Sequence, residues 1–341
     1  MRLAVVGVTG IVGETILRVL DERAIAVDEL GAFASRDRDE SLRFRGRDWP
    51  IRAVDANALA QGAYDAVFFA SSDDASAELA HVALASGAIV VDNSATFRMR
   101  DDVPLIVPEV NAHDVREDHR LFPVANCTAI VLCVGIAPIV RVAGLRAVRV
   151  ATYQAVSGAG RAGLAALADE ERAARTGELQ TPGSPFVAPI FRNVVPQIGA
   201  LDAFGDSGEE RKVASETRKI LGLPHLHVAA TTVRVPVRYA HGEVAFVETE
   251  RPTSVAALAE AYERAPGVVF HAQGVVTPRE VEGGDAVHVA RLRAEHGSTR
   301  HFQLWIVGDQ VRKGAATNAV QLLELALSRR PVRTSTQLAT P

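Results

Sequence analysis

The residues that most restrict the fold come first in the chain. Leu3-Ala4-Val5-Val6 is fully apolar, runs into Gly7-Val8-Thr9-Gly10-Ile11-Val12-Gly13, and is followed from Glu14 to Leu20 by helical spacing. Such a succession reads as strand, glycine turn and helix. Glycines three apart let the backbone approach a pyrophosphate that then sits on the helix N-terminus. Gly7, Thr9, Gly10, Ile11, Val12 and Gly13 are therefore candidate dinucleotide contacts. A tight turn without ligand has the same glycines, and only the place directly after an N-terminal strand separates the two readings.

Strands alternating with helices then predict a doubly wound parallel sheet. Ala66 to Ala70 and Ala88 to Val91 are strand-like, with a helical pattern from Ala77 to Leu84 between them. Ligands of such a sheet lie at the strands' C-terminal edge. Ser71, Ser72, Asp92, Asn93 and Ser94 fall there, and Ser71 and Asn93 are the candidate cofactor contacts. The second strand, Leu30 to Phe33, leads into Ala34-Ser35-Arg36 with Arg38 close by, where an NAD-specific site usually places an acid. A hydroxyl and a guanidinium suit a 2′-phosphate, so Ser35 and Arg36 favour NADP. Asp37 and Asp39 argue against it, and a solvated charge run is the alternative.

After residue 126 the pattern changes. Val148 to Val156 alternates and is β-branched, stopping at Ser157-Gly158-Ala159-Gly160. Further strands are expected at Ala229 to Val237, Gly242 to Glu248, Ala286 to Arg293 and Gln303 to Val307. Helices are expected at Gly163 to Arg175, Glu209 to Leu221, Val255 to Arg264 and Ala319 to Leu327, with a Pro/Gly/Ser loop from Thr181 to Pro185. The fold class predicted is α/β: an N-terminal Rossmann-type domain, residues 1–126 closed by 314–341, and an α+β domain, 127–313, with a mixed, largely antiparallel sheet. A chain of 341 residues is long enough for both cores.

One thiol stands out from this frame. Asn126-Cys127-Thr128 precedes the apolar run Ala129 to Val134, so Cys127 sits where a loop becomes a helix. Free N–H groups and the helix dipole favour a thiolate there, which would make Cys127 a nucleophile near neutral pH. Cys133, within the apolar run, suits core packing. His241, entering a glycine turn at a strand boundary, is the candidate base. His225 and His227 have no partner spaced to complete a metal site, and no metal is expected. A net charge of −4 gives no reason to expect nucleic acid or an anionic membrane as partner, and no apolar run reaches spanning length. Two cysteines without a disulfide framework, and an N-terminus too short for a signal peptide, suit the cytoplasm. Basic residues are almost all arginine, so the three lysines, Lys212, Lys219 and Lys313, each draw notice.

Taken together, these segments resemble aspartate-β-semialdehyde dehydrogenases nearly end to end. The resemblance is carried by the Gly7 to Gly13 turn, Val91-Asp92-Asn93-Ser94 with Phe97-Arg98-Met99, Val107-Pro108-Glu109-Val110-Asn111 and Asn126-Cys127-Thr128. It continues through Thr152 to Gly158, Asn193 to Gln197, Glu209 to Lys212 with Glu216-Thr217, Arg234 to Val237 with His241, and Arg312 to Ala316 with Asn318 to Gln321. It implies reversible, NADPH-dependent conversion of L-4-aspartyl phosphate to L-aspartate 4-semialdehyde and inorganic phosphate, for lysine, methionine and threonine synthesis. By matching position, Cys127 would form a thioacyl intermediate, Gln154 would orient it and His241 would be the acid/base. Arg234 would bind the substrate carboxylate and Glu209 its amino group, with Arg98, Lys212 and Asn126 at the phosphate. Ser157, Gly158, Asn318 and Gln321 would join the cofactor site. The resemblance also implies a homodimer or tetramer. Gly242 stands where serine is common, and little effect is expected from it. The nearest rival, N-acetyl-γ-glutamyl-phosphate reductase, has a different motif around its cysteine. A non-catalytic nucleotide-binding paralogue should have lost the thiol, the imidazole or the anion-binding arginines.

Overall fold

The structure is a computed structural model and describes residues 1–177 and 183–329. The first unit contains β1 (Arg2–Val6), α1 (Ile11–Glu22), β2 (Glu29–Ala34), β3 (Ser41–Phe44), β4 (Arg47–Ala53), α2 (Ala56–Gln61), β5 (Ala66–Phe69), α3 (Asp73–Ala85), β6 (Ile89–Asp92), α4 (Pro108–Asn111) and β7 (Leu121–Pro123). Its sheet runs β3-β4-β2-β1-β5-β6-β7 and is parallel apart from the β3–β4 hairpin. Successive side chains of a strand go to opposite faces. Leu3, Val5, Phe68 and Val91 therefore join the core on one side, and Ala4, Val6, Val67, Phe69 and Val90 the core on the other. Burial on both faces explains why these strands read as unbroken apolar runs. Each large side chain so buried contributes roughly 1.5–3 kcal/mol.

The second unit contains α5 (Cys127–Ala143), β8 (Ala147–Gln154), α6 (Gly160–Thr176), α7 (Gly208–Leu221), β9 (His227–Arg234), β10 (His241–Glu248), α8 (Val255–Glu263), β11 (Val268–His271), α9 (Pro278–Val281), β12 (Val287–Ala294) and β13 (His301–Gly308). Its sheet runs β11-β12-β13-β10-β8-β9. Three pairings are antiparallel, while β8–β9 and β11–β12 are parallel. One face packs on α5, whose residues 128–139 are all buried. The other face leaves Tyr153 and Phe246 more than a third exposed. A π-helical turn, Arg312–Ala316, then leads into α10 (Thr317–Ser328), which packs against α1 and β6 of the first unit.

The chain crosses between the units at residues 126–127 and 312–316, and both crossings line the same cleft. The expected boundary at 126/127 passes through the cap of α5. The β3–β4 hairpin was not expected; its tight turn holds Arg45 and Gly46 at positive φ, inside a charged stretch that hides the strands. Thr181 and Pro182 of the expected loop, and the tail beyond Arg329, lie outside the described residues. No helix among the described residues is long and apolar enough to cross a membrane.

Candidate active site

The C-terminal ends of the first sheet's strands and the ends of β8 and β9 face one another across a cleft of about 510 Å³. On the first-sheet side the glycine turn is packed as tightly as a backbone allows. A Cβ on Gly7, whose φ is +89°, would lie 2.2 Å from the Ala70 carbonyl oxygen, and one on Gly13 would lie 2.3 Å from the Gly7 oxygen. Gly10 precedes α1 without any side-chain cap, so the first N–H groups of the helix, from Ile11 to Gly13, are left for an incoming anion. Val12 lines the cleft itself, while the Thr9 carbonyl accepts from Arg161 of α6. Ser71 and Asn93 also line it, and Ser71 Oγ and Asn93 Oδ1 are buried without a protein partner, as a ligand's donors would require. Ser72 instead caps α3, and Asp73 receives the Ala95 N–H. At the end of β2, Ser35 and Arg36 are exposed, Arg38 Nε is buried without a partner, and the Asp37 carboxylate accepts the Ala53 N–H at 2.8 Å.

The nucleophile's position follows from a helix cap. Asn126 Oδ1 accepts from Thr128 N at 3.0 Å and Ala129 N at 3.1 Å, which makes Cys127 the first residue of α5. Asn126 Nδ2 donates to Glu209 Oε1 at 2.9 Å. Its carboxamide thus holds the helix and Glu209, while Asn126 itself lines the cleft. Cys127 Sγ lies 3.6 Å from His241 Nε2.

Burial governs the electrostatics of both facing groups. Burial, aided by Glu209, pushes the Cys127 thiol up to about 12 against the pull of Arg234, Thr128 and Arg98. Cys127 is itself partly reached by solvent through the cleft. A helix N-terminus alone does not make this thiol acidic. His241 is fully buried, and burial followed by the Arg234 charge holds its imidazole well below the ordinary histidine range. Its Nδ1 accepts the Ala155 N–H at 3.1 Å, so the neutral ring carries its proton on Nε2, facing the sulfur. In this state it is a donor to sulfur and not a base toward it.

The remaining predicted residues converge here. Gln154 Nε2 donates to Glu209 Oε1 at 3.1 Å, while its Oε1 accepts from Thr152. Arg234 Nη1 donates to the Ala155 carbonyl at 2.6 Å, and its Nε is buried and unpartnered. Gly158 leaves room for both groups: a Cβ there would lie 2.6 Å from Arg234 Nη1 and 3.4 Å from His241 Cε1. Arg98 donates to Glu216 at 3.2 Å and to the Asn93 carbonyl at 2.8 Å. Glu216, raised by burial, also accepts the Asn126 N–H. Lys212 is exposed at the cleft edge. Glu209, Lys212 and Glu216 follow at i, i+3 and i+7, which puts them on one face of α7. That spacing was readable, yet Glu216 was singled out only within the motif. Among the described residues, no group of three or more acids, histidines or cysteines could hold a metal.

Asn318 and Gln321 do not line the cleft. Lys313, buried to 1% exposure, donates to Glu109 at 2.7 Å, Asn318 at 3.0 Å and Gln321 at 2.7 Å, so both carboxamides are drawn behind the cleft wall. The wall itself is Gly314 and Ala315; a Cβ on Gly314 would lie 2.9 Å from Cys127 Cβ. Lys219 donates to the carbonyls of Arg98 and Arg100 and so fixes the loop that carries Arg98. A Cβ on Gly242 would meet the Trp305 ring at 2.1 Å, so a serine there would require that ring to shift. Sequence reasoning missed Gln310, which lines the cleft directly after β13. The available signal was its place between the expected strand Gln303 to Val307 and the Arg312 to Ala316 motif.

Comparison with known proteins points to one family. Residues 2–118 match the family model of the semialdehyde dehydrogenase NAD binding domain, and residues 136–313 that of the semialdehyde dehydrogenase dimerisation domain. An aspartate-semialdehyde dehydrogenase of Aquifex aeolicus is 39% identical over 95% of this chain and 97% of its own length. Aspartate-semialdehyde dehydrogenase 2 of Vibrio cholerae is 38% identical over 95% and 97%. The crystal structure of the Vibrio cholerae aspartate semialdehyde dehydrogenase II, and that of the same protein complexed with ASA, each superpose with a TM-score of 0.91 at 36% identity, covering 96% of this chain and 98% of theirs. On sequence and fold alike, the chain belongs to the aspartate-semialdehyde dehydrogenase family.

Proposed function

We propose that the protein interconverts L-4-aspartyl phosphate and L-aspartate 4-semialdehyde with NADPH, through a thioester on Cys127, as a cytoplasmic homodimer serving lysine, methionine and threonine synthesis. The observation that carries this reading is the 3.6 Å contact of Cys127 Sγ with His241 Nε2, in a cleft that also holds Arg234, Arg98 and Lys212. A substrate with a carboxylate at one end and a phosphate at the other matches two separate cation sites. Arg234 receives the carboxylate, and Glu209 receives the ammonium through the carboxylate that Asn126 and Gln154 already orient.

The Cys127 sulfur attacks the acyl carbon, its proton passes to the departing phosphate oxygen as the C–O bond breaks, and the leaving phosphate stays with Arg98 and Lys212. NADPH, when bound, supplies the hydride that reduces the thioester. Collapse of the resulting alkoxide breaks the C–S bond and returns aldehyde and thiolate, a step that needs no proton from the protein. The Nε2–H of His241 donates to the developing oxyanion and to the departing sulfur, and one such donor is worth on the order of 3 kcal/mol. The residues that would hold the cofactor are the α1 N-terminus, Ser35, Arg36, Arg38, Ser71, Asn93, Ser157 and Gly158. Asp37 accepts the Ala53 N–H, which supports reading Ser35 and Arg36, and not this acid, as the groups that meet the ribose. The exposed face of the second sheet, with Tyr153 and Phe246, suits the dimer contact.

The test is phosphate-dependent reduction of NADP⁺ by L-aspartate semialdehyde, with NAD⁺ and the N-acetylglutamate semialdehyde in parallel, on wild type and Cys127→Ser. Activity that requires phosphate and falls by at least about 10³-fold in the variant supports the thioester route. A folded wild type that is inactive, or active only with the acetylated aldehyde, overturns the assignment.

A further inference from the structure

We infer that Gln310 is a positioning residue that holds the His241 imidazole against Cys127, an inference that rests on the function proposed above. His241 follows Ala240, which has φ +66° although it carries a side chain. Such a backbone is unfavourable for alanine and persists only where its surroundings hold it. Ala240 is fully buried, so its N–H must be paired within the protein. The partner is Gln310 Oε1, at 2.8 Å. The other end of the same carboxamide donates to Ser157 Oγ, and Ser157 donates in turn to the Arg238 carbonyl.

Gln310 is itself 3% exposed and comes from a third element, between β13 and the π-helical turn. It therefore ties the 238–240 loop to the segment after β8. That segment supplies the Ala155 N–H that fixes the His241 ring and the Gly158 position that makes room for it. Neither the loop nor the β8 segment fixes the ring alone. The imidazole's height above Cys127 is set by β10 only once Ala240 is held in its left-handed conformation, and no other side chain bonds to the Ala240 N–H. Ser157 faces the cofactor side of the cleft, so the same carboxamide couples the histidine to the cofactor wall.

Steady-state kinetics and a ring-nitrogen measurement test this together. Gln310→Ala is expected to lower kcat about 10-fold to 30-fold, with KM for the semialdehyde and for NADP⁺ within about twofold of wild type. Adding Ala240→Gly, which takes positive φ without strain, is expected to recover most of that loss. In ¹⁵N-histidine-labelled protein, the wild-type His241 signal should show an unprotonated Nδ1 and a protonated Nε2, and Gln310→Ala should show a mixture of tautomers. An unchanged kcat, a rise confined to KM for NADP⁺, or no recovery with Ala240→Gly overturns the inference. An inactive wild type refutes the proposed function instead, and leaves the ring-nitrogen comparison to decide the role of Gln310.

Discussion

The two ends of the cleft are made of different material. At the first-sheet end the contacts are backbone: Gly7 and Gly13 are pressed against carbonyls, and Gly10 opens α1 with no side-chain cap. At the second-sheet end they are side chains drawn from α5, α7, β8, β9 and β10, with Glu209 Oε1 alone accepting from Asn126, Gln154 and Thr128. A backbone site is written in consecutive residues. A side-chain site is assembled by the fold, and its charges take their properties from burial and not from sequence neighbours.

The contrast predicts that the same small change acts on different quantities at the two ends. The largest effect is expected for Gly7→Ala, because the added methyl meets backbone that cannot move and the φ of +89° is itself unfavourable. It should cost at least about 3 kcal/mol, read as a fall in Tm of roughly 6 °C or more. A variant melting alongside wild type would mean that the turn is not rigid. Gly158→Ala introduces the same methyl, but against the far end of Arg234 and the His241 ring. Here kcat/KM for the semialdehyde should fall roughly 100-fold while Tm barely moves. If Tm fell instead of activity, the two ends would not differ in kind.

Next in size is a pH-dependent stability effect. Glu243, two residues beyond His241 on β10, is fully buried with neither oxygen paired, and burial raises its carboxyl well above the ordinary range. The folded protein therefore keeps a proton that the unfolded chain gives up. The stability this group contributes is present below the unfolded value and is lost as pH rises toward the folded one. Glu243→Gln has no such proton to lose, so its advantage over wild type should grow from little near pH 4 to about 2 kcal/mol by pH 6. Urea unfolding of both proteins across that range checks it. A pH-independent difference would show that Glu243 has a partner when folded.

Most of the architecture was legible because the first sheet is buried on both faces and the second alternates. The strands that escaped were β7 and β11, of three and four residues, and the hairpin hidden in charge. The residues that meet at the cleft were legible as well, since Cys127, Gln154, Glu209, Arg234 and His241 each lie at an element end or on one helix face. Their ionisation was not. Local reasoning gave Cys127 an acidic thiol and made His241 the base, whereas burial pushes the thiol up and holds the imidazole well below the ordinary histidine range. Asn318 and Gln321, expected at the cofactor, are both held by Lys313, which turns away from solvent and donates to each. Lysine's rarity in this chain marked the position without showing what it would bind.

The smallest expected effect returns to the cofactor end, at the one place where side chains and not backbone decide. Arg36 is exposed and Arg38 Nε is buried without a partner, while neighbouring Asp37 is turned to the Ala53 N–H. If Arg36 meets the 2′-phosphate at an exposed site, its removal costs one screened charge-assisted contact. Arg36→Ala should raise KM for NADP⁺ about tenfold, leave KM for NAD⁺ within about twofold, and change kcat little. The NADP⁺ effect should shrink as salt is raised, because exposed charges are screened over about 10 Å at 0.1 M. Asp37→Asn separates the two readings of the acid. An aspartate bonded to the ribose would, on conversion to asparagine, weaken NAD⁺ in particular. An aspartate that only holds the Ala53 N–H leaves the NADP⁺ to NAD⁺ ratio where it was, and the carboxamide oxygen keeps the bond. A ratio that moves with Asp37 and not with Arg36 would assign the selectivity to the acid, and the cofactor end would then be read by the same side-chain logic as the catalytic end.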